Sequence, residues 1–296
     1  MVRTFTKSSK LPAGNPPAAS ATAACAAIPS YLSSLKKYNK ALATADGHQI
    51  DVWELRVSPT ATNLSEWASN FRRHYCSDAE IDDLRKGTGL SRAEYLTQLV
   101  FPDMSIAPGP GIRAGDFAEL LIADYVEHRL GYWVPRGKYA EKSSRDESIK
   151  GVDILGFHLT SNTPAPLDTL LAFEVKSQLS GGNYKGRLQN SIAASSKDYL
   201  RRAETLNATK RRLLQSGQLD KVLVVQRFQN LSDHPYSYHS GAAAVLSDTA
   251  YDETLLATST KVMDHQNAGN LKLIVIRGND LMKLVHLLYE RAANEA

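Results

Sequence analysis

The chain has 296 residues, of which 43% are hydrophobic, and a formal net charge of +4; that supplies a real core for one large domain or two small ones and excludes a disordered protein. Its two cysteines, Cys25 and Cys76, are too few and too far apart for a disulfide framework or a structural zinc site, which takes about four ligands at short spacing. No apolar run approaches the roughly 18 to 20 residues that span a bilayer, so the expectation is a soluble protein of the reducing cytoplasm, with no membrane partner.

Residues 1–45 hold Arg3, Lys7, Lys10, Lys36, Lys37 and Lys40 and no acid. Their Ala/Ser/Pro/Thr-rich stretch at 8–30 lacks periodicity, which predicts a basic, disordered tail. Residues 48–57 alternate like a strand, with Trp53, Leu55 and Val57 on one side. Three capping-box spacings follow, Asn63 to Glu66, Ser77 to Glu80 and Ser91 to Glu94, so 46–101 reads as a strand plus a helical cluster. In that cluster Trp67, Phe71 and Tyr75, spaced by four, form the core stripe. Residues 102–115 are rich in Pro and Gly; they resemble a phosphate-binding glycine loop, but no strand precedes them closely and no Gly-Lys-Ser/Thr follows, and a plain loop is the better reading.

A helix is expected over 116–130, then strands near Tyr132-Trp133-Val134-Pro135, at Val152-Asp153-Ile154-Leu155-Gly156-Phe157 and at Leu170-Leu171-Ala172-Phe173-Glu174-Val175-Lys176. A long helix over 187–214 follows, with an inward stripe of Leu188, Ile192, Tyr199, Ala203 and Leu206, and then the strand Val222-Leu223-Val224-Val225. That αβββαβ order implies a mixed sheet between helices. Residues 231–296 add a strand at 271–276 and a terminal helix capped by Asn279 or Asp280.

The chemistry concentrates in the third of these strands. Strand side chains alternate, so Glu174 and Lys176 share one face while Phe173 and Val175 take the other. Burying an unpaired carboxylate costs several kcal/mol, so Asp153, Glu174 and Lys176 inside apolar runs need each other or a metal. The turn-rich 161–166 segment lets the two acidic strands pair antiparallel and meet. An acidic pair beside a lysine suits a Mg2+ site that cuts phosphodiesters; the alternative is a solvated strand end. Residues 176–212 carry nine basic residues against Asp198 and Glu204, a net +7, which suggests a polyanion held beside that chemistry. The alternative is a solvated, Arg-rich helix face. The eight histidines make no metal or triad pattern; His234, His239 and His265 fall in loop-like sequence.

With Gly151-Val152-Asp153 on the second strand, Glu174-Val175-Lys176 on the third, Glu119 in the helix before them and the αβββαβ order, residues 112–228, about 40% of the chain, resemble the PD-(D/E)xK nuclease superfamily, the restriction-endonuclease-like fold. The resemblance departs from the branch that carries Gln-x-x-x-Tyr on the next helix: Gln189 is present, but Ala193 stands where the tyrosine would be. Gly115-Asp116-Phe117-Ala118-Glu119 and the segment 276–286 are further similar to the nuclease subunit of Hachiman-type antiphage defence systems. On this basis 102–230 is the nuclease core and 231–296 a C-terminal strand-helix extension.

The resemblance implies a metal-dependent deoxyribonuclease acting with a DNA helicase partner. Asp153, Glu174, the Val175 carbonyl and, as one reading, Glu119 would hold Mg2+, or Mn2+ in its place, and Lys176 would orient water or stabilise the transition state. Glu119 has a second reading, since Asp116-x-x-Glu119 also has capping-box spacing. Gln178, Lys185, Arg187, Lys197, Arg201 and Arg202 are the expected DNA-binding residues, Gln178 alternatively marking a strand end. A stand-alone restriction-type endonuclease and a non-catalytic nucleic-acid-binding module are the rival functions.

Overall fold

The computed structural model describes residues 28–57 and 61–296. One seven-stranded sheet runs through them, built from β1 (Leu35–Lys37), β2 (Leu42–Ala43), β3 (Gln49–Leu55), β4 (Ile154–His158), β5 (Thr169–Gln178), β6 (Ser237–Ser247) and β7 (Leu271–Gly278). Its order is β1-β3-β7-β6-β5-β4, with β2 also on β3. The inner strands β3, β7, β6 and β5 are parallel, while β4 closes one edge and β1 and β2 the other in antiparallel fashion. The helices are α1 (Ala61–Arg73), α2 (Ile81–Leu84), α3 (Arg92–Tyr95), α4 (Gly109–His128), α5 (Arg187–Ser195), α6 (Asp198–Gln215), α7 (Leu219–Arg227), α8 (Glu253–Ser259) and α9 (Leu281–Asn294). Among the described residues, no helix is long and apolar enough to cross a membrane.

Both faces of the sheet are covered, as a mostly parallel sheet requires. Phe173, Val175, Ala243, Val245, Ile274 and Ile276 pack with α1, α4 and α9. On the opposite face Ala242, Ala244, Leu273 and Val275 meet Leu188 and Ile192 of α5, and Leu155, Phe157, Leu170 and Ala172 meet α6 and α7. Trp67, Phe71 and Tyr75 form the expected stripe: Trp67 stacks on Tyr31 at 4.9 Å, and Phe71 meets Tyr289 of α9 edge-on at 4.8 Å.

Several elements differ from expectation, each for a local reason. Val222-Leu223-Val224-Val225 is helical, in α7, with Val222 and Val225 buried and Leu223 exposed, a three-residue spacing that a single apolar run conceals. The strand that follows is β6, in sequence that reads as loop. Its Gly241-Ala242-Ala243-Ala244 stretch has little strand propensity but is enclosed on both faces, and a Cβ at Gly241 would fall on the Phe173 ring. The helix over 187–214 breaks at Ser196 and Lys197 into α5 and α6, which leaves Tyr199 and Ala203 exposed instead of inward.

The first of the three strands expected before α5 shrinks to a single bridge, Trp133 to Phe157. Of the Gly/Pro segment 102–115, residues 102–108 are loop as expected, whereas 109–115 form the first two turns of α4, with Gly109 packed against Asp103. Residues 30–45 contain a 3-10 turn (Ser30–Ser34), β1 and β2, which corrects the tail expected to residue 45; residues 1–27, with Cys25, lie outside the described residues.

Of the three capping boxes, only Ser91 with Glu94 is reciprocal. Asn63 lies inside α1, and Ser77 bonds Glu80 ahead of α2. Asp280 occupies the start of α9 without a side-chain capping bond. β3 and β7 pair along their length, so the strand at 49–55 and the C-terminal extension share one sheet with the middle of the chain.

Candidate active site

β4 and β5 pair antiparallel with Ile154 opposite Phe173. Asp153 directly precedes β4, and its Oδ2 accepts the Val175 N–H at 2.8 Å, tying the acid to the strand that carries Glu174. Alternation does the rest. Phe173 and Val175 enter the core under α4, while Glu174, 5% exposed, faces the α5–α6 side, where Lys176 Nζ donates to its Oε1 at 2.6 Å and approaches the Val175 carbonyl at 3.3 Å. Burial pushes the Asp153 carboxyl well above the usual carboxylate range and Glu119 pushes it further, against Lys138, which lowers it.

Glu119 reaches this group from α4. Asp116 sits in the middle of that helix, so it cannot be an N-cap, and the capping reading of Glu119 fails. Glu119 Oε2 instead accepts Lys138 Nζ and the Tyr139 hydroxyl, the latter at 2.7 Å, and Lys138 also donates to the Asp153 carbonyl at 2.7 Å. Lys138 and Tyr139 had no sequence signal, since both come from a single 3-10 turn (Lys138–Glu141) after β-like residues. Only about 40 Å³ of cavity remains beside Glu119, Lys138 and Asp153. A larger hollow, about 680 Å³ between β3, β7 and α9, shares none of these residues.

The oxygen set fits a hard divalent cation. Glu174 Oε2 is buried without a hydrogen-bond partner, the Asp153 carboxylate is bonded to the amide of the next residue along β5, and the Val175 carbonyl lies 3.3 Å from Lys176 Nζ. Asp153, Glu174 and Glu119 are not, however, gathered as tightly as Asp124, Glu127 and His128. Among the described residues, only those three have ligating atoms all within 4.8 Å of one another. There Arg136 already spans Asp124 and Glu127, so a guanidinium supplies the compensating charge.

The expected DNA-binding residues separate into different roles. Arg201 Nη1 lies 3.9 Å from Glu174 Oε2 and 3.5 Å from Asp198 Oδ1, so it belongs to the acidic centre. Arg202 lies over the rings of Tyr199 at 4.6 Å and Tyr238 at 5.2 Å, a stacked and partly exposed cation. Lys185 and Lys197 are exposed and Arg187 half-buried. Gln178 is buried, and its amide is committed to the following loop, donating to the Asn183 carbonyl and accepting the Lys185 N–H.

Gln189 faces away from the acids and accepts the Lys261 N–H at 2.8 Å. His265, in sequence that reads as surface loop, is buried and bonded to Ser195 at 3.0 Å.

Asp198 is the acid that sequence reasoning passed over. It is fully buried at the start of α6, and burial, followed by the charge of Glu174, pushes its carboxyl up to about 7. Its one sequence signal was that it is one of only two acids, with Glu204, in the basic run 176–212.

No curated protein matches the chain. A family model, described as HamA, matches residues 29–292, nearly all of the described structure. The chain therefore belongs to the HamA family, the nuclease-like subunit of the Hachiman antiphage-defence system.

Proposed function

We propose that this chain is a metal-dependent deoxyribonuclease, that its centre is Asp153, Glu174 and Lys176 with Glu119 behind them, and that it acts in the cytoplasm with a DNA helicase partner. The observation that carries the reading is the tie between Asp153 and the Val175 amide, which brings Asp153 to the strand of Glu174 and Lys176, where Glu174 keeps a buried oxygen that accepts no hydrogen bond. A solvated strand end would not bury Glu174 to 5% exposure. A binding module would repel phosphate at the same place.

Asp153, Glu174 and the Val175 carbonyl would hold Mg2+, or Mn2+ in its stead, which supplies Lewis-acid chemistry that acidifies water and neutralises charge developing on the phosphate. Lys176 holds Glu174 in place and carries an ammonium that can orient the attacking water or stabilise the pentacovalent phosphorus. Lys138 and Tyr139 fix the Glu119 carboxylate. Arg202 and the exposed Lys185 and Lys197 provide sequence-independent phosphate contacts on the adjoining surface. The helicase partner rests on the defence-system family, in which the protein is one component of several.

The test is an assay of purified protein on linear, circular and single-stranded DNA with Mg2+ or EDTA, alone and with the neighbouring helicase. Cleavage that needs the metal and is lost in Asp153→Asn and Lys176→Met supports the reading; folded variants that cut as fast as the parent remove these residues from the centre. Charge reversal at Arg202 should weaken binding to all sequences alike and make the salt dependence shallower by about one unit. Cutting by the unaided chain at one defined sequence would indicate a restriction-type enzyme instead.

A further inference from the structure

We propose that DNA reaches the acidic centre as an unpaired strand, and that Tyr199, backed by Arg202, is the platform on which one of its bases stacks. The inference rests on the nuclease reading and deepens it by naming the substrate class. Tyr199 follows the buried Asp198 in the first turn of α6 and is 50% exposed. Its ring is nonetheless held in place. Arg202 Cζ lies 4.6 Å from the ring centroid, and Tyr238 meets the ring at 5.9 Å with the planes 71° apart. The same guanidinium lies 5.2 Å from the Tyr238 ring and 5.9 Å from that of Tyr236, which is itself buried against Phe228. Arg202 is thus a cation set among three aromatic rings, one of which stands half in solvent.

The charge of Arg202 is also uncommitted. Arg201 is engaged with Glu174 and Asp198, and Arg212 with Glu141, whereas among the described residues Arg202 has no carboxylate within 4.0 Å. A phosphate is the group that would meet it, with the exposed Lys185 and Lys197 on the same basic stretch. A phosphate contact by itself needs no exposed ring beside the cation. In a duplex, neighbouring pairs cover the faces of each base and only the edges reach the grooves, so Tyr199 would find nothing to stack on. An unpaired strand presents base faces, and an exposed aromatic ring beside a basic group is how sequence-independent single-strand sites are built. Arg201, one residue before Arg202, lies 3.9 Å from Glu174 Oε2, so a single turn of α6 carries both the platform and the edge of the acidic centre. A base stacked on Tyr199 would therefore bring its neighbouring phosphodiester toward Glu174.

The experiment is fluorescence anisotropy of the full chain, in EDTA so that nothing is cut, on a labelled single-stranded oligonucleotide and on the same strand with its bases removed. Both strands carry the same phosphates, so the ratio of their affinities reads stacking alone. The wild type is expected to bind the base-bearing strand about tenfold or more tightly than the abasic one, as one stacked base contributes. Tyr199→Ala should bring the ratio close to one, and Tyr199→Phe, which keeps the ring, should preserve it. A ratio near one in the wild type overturns the inference, as does a ratio that survives Tyr199→Ala, which would assign the exposed ring to another occupant such as a protein partner. Equal loss of affinity for both strands in Tyr199→Ala, with the ratio kept, would make the ring a mere support for Arg202 and overturns it too. Metal-dependent cleavage of DNA by the wild type, measured in parallel, separates the two readings: cutting without a base preference leaves the nuclease standing, and neither cutting nor binding removes both.

Discussion

Two groups of buried carboxylates in this chain differ in how completely they are satisfied. Asp168, 1% exposed, accepts Thr160 and Ala165 amides and the Arg227 guanidinium, and Asp124, 3% exposed, accepts the Tyr31 hydroxyl on one oxygen and Arg136 on the other. Both oxygens of each acid are bonded, so these acids hold loops and helices in place. Glu174 and Asp198 are buried as deeply, yet each keeps an oxygen without a donor. Both stand where the chemistry is proposed, with Arg201 reaching Glu174 Oε2 at 3.9 Å. On the proposed reading, incomplete hydrogen bonding is what sets Glu174 apart from structural acids such as Asp124 and Asp168.

The sharpest way to break that distinction is Glu174→Gln. Removing the charge should lower DNA cleavage by about a thousandfold or more, equivalent to about 4 kcal/mol of barrier, while leaving the melting temperature unchanged or raised. Loss of folding would place Glu174 with the structural acids.

Asp168→Ala should do the reverse. It leaves Arg227, itself 9% exposed, buried without its carboxylate, and a cost of about 3 to 5 kcal/mol is expected in urea unfolding. Cleavage per folded molecule should not change. A cost below about 1 kcal/mol would show that the Asp168 bonds add little net stability.

His74 extends the comparison to pH. It is buried in the helical cluster, and desolvation, with a smaller contribution from Arg136, pushes its pKa down to about 3. The unfolded chain takes up the proton first, so stability present above pH 6.5 is lost as pH falls toward 3, by about 2 kcal/mol at pH 5. His74→Leu should flatten this acid limb of the melting-temperature profile; an unchanged limb would assign it to other groups. Ser91→Ala, which removes the hydroxyl's bonds with Glu94 on the surface and leaves the Ser91 N–H donating to the Glu94 carboxylate, should cost only about 1 kcal/mol by thermal melting.

What was legible in the sequence was local. Alternation around Glu174 and the turn at 161–166 were sufficient to anticipate an antiparallel β4–β5 pair, because period-two burial and turn chemistry act between near neighbours. The Trp67, Phe71 and Tyr75 stripe was visible because a helix repeats its face every three to four residues. β6 was not visible: its small residues are strand only because α4 and α5 enclose them and β5 and β7 supply the hydrogen bonds.

Spacing alone left Glu119 undecided between cap and site, and the choice came from α4 beginning at Gly109, which puts Asp116 in the helix interior. Asp198, Lys138 and Arg201 reach the acidic centre from α6 and from the 3-10 turn at Lys138–Glu141, at sequence separations that no periodicity spans. Sequence by itself determined which residues could carry the chemistry, because residue type and alternation are properties of the strand. Only the tertiary structure decided which acids are satisfied and which are left open, because a carboxylate's donors come from whichever distant elements the packing brings to it.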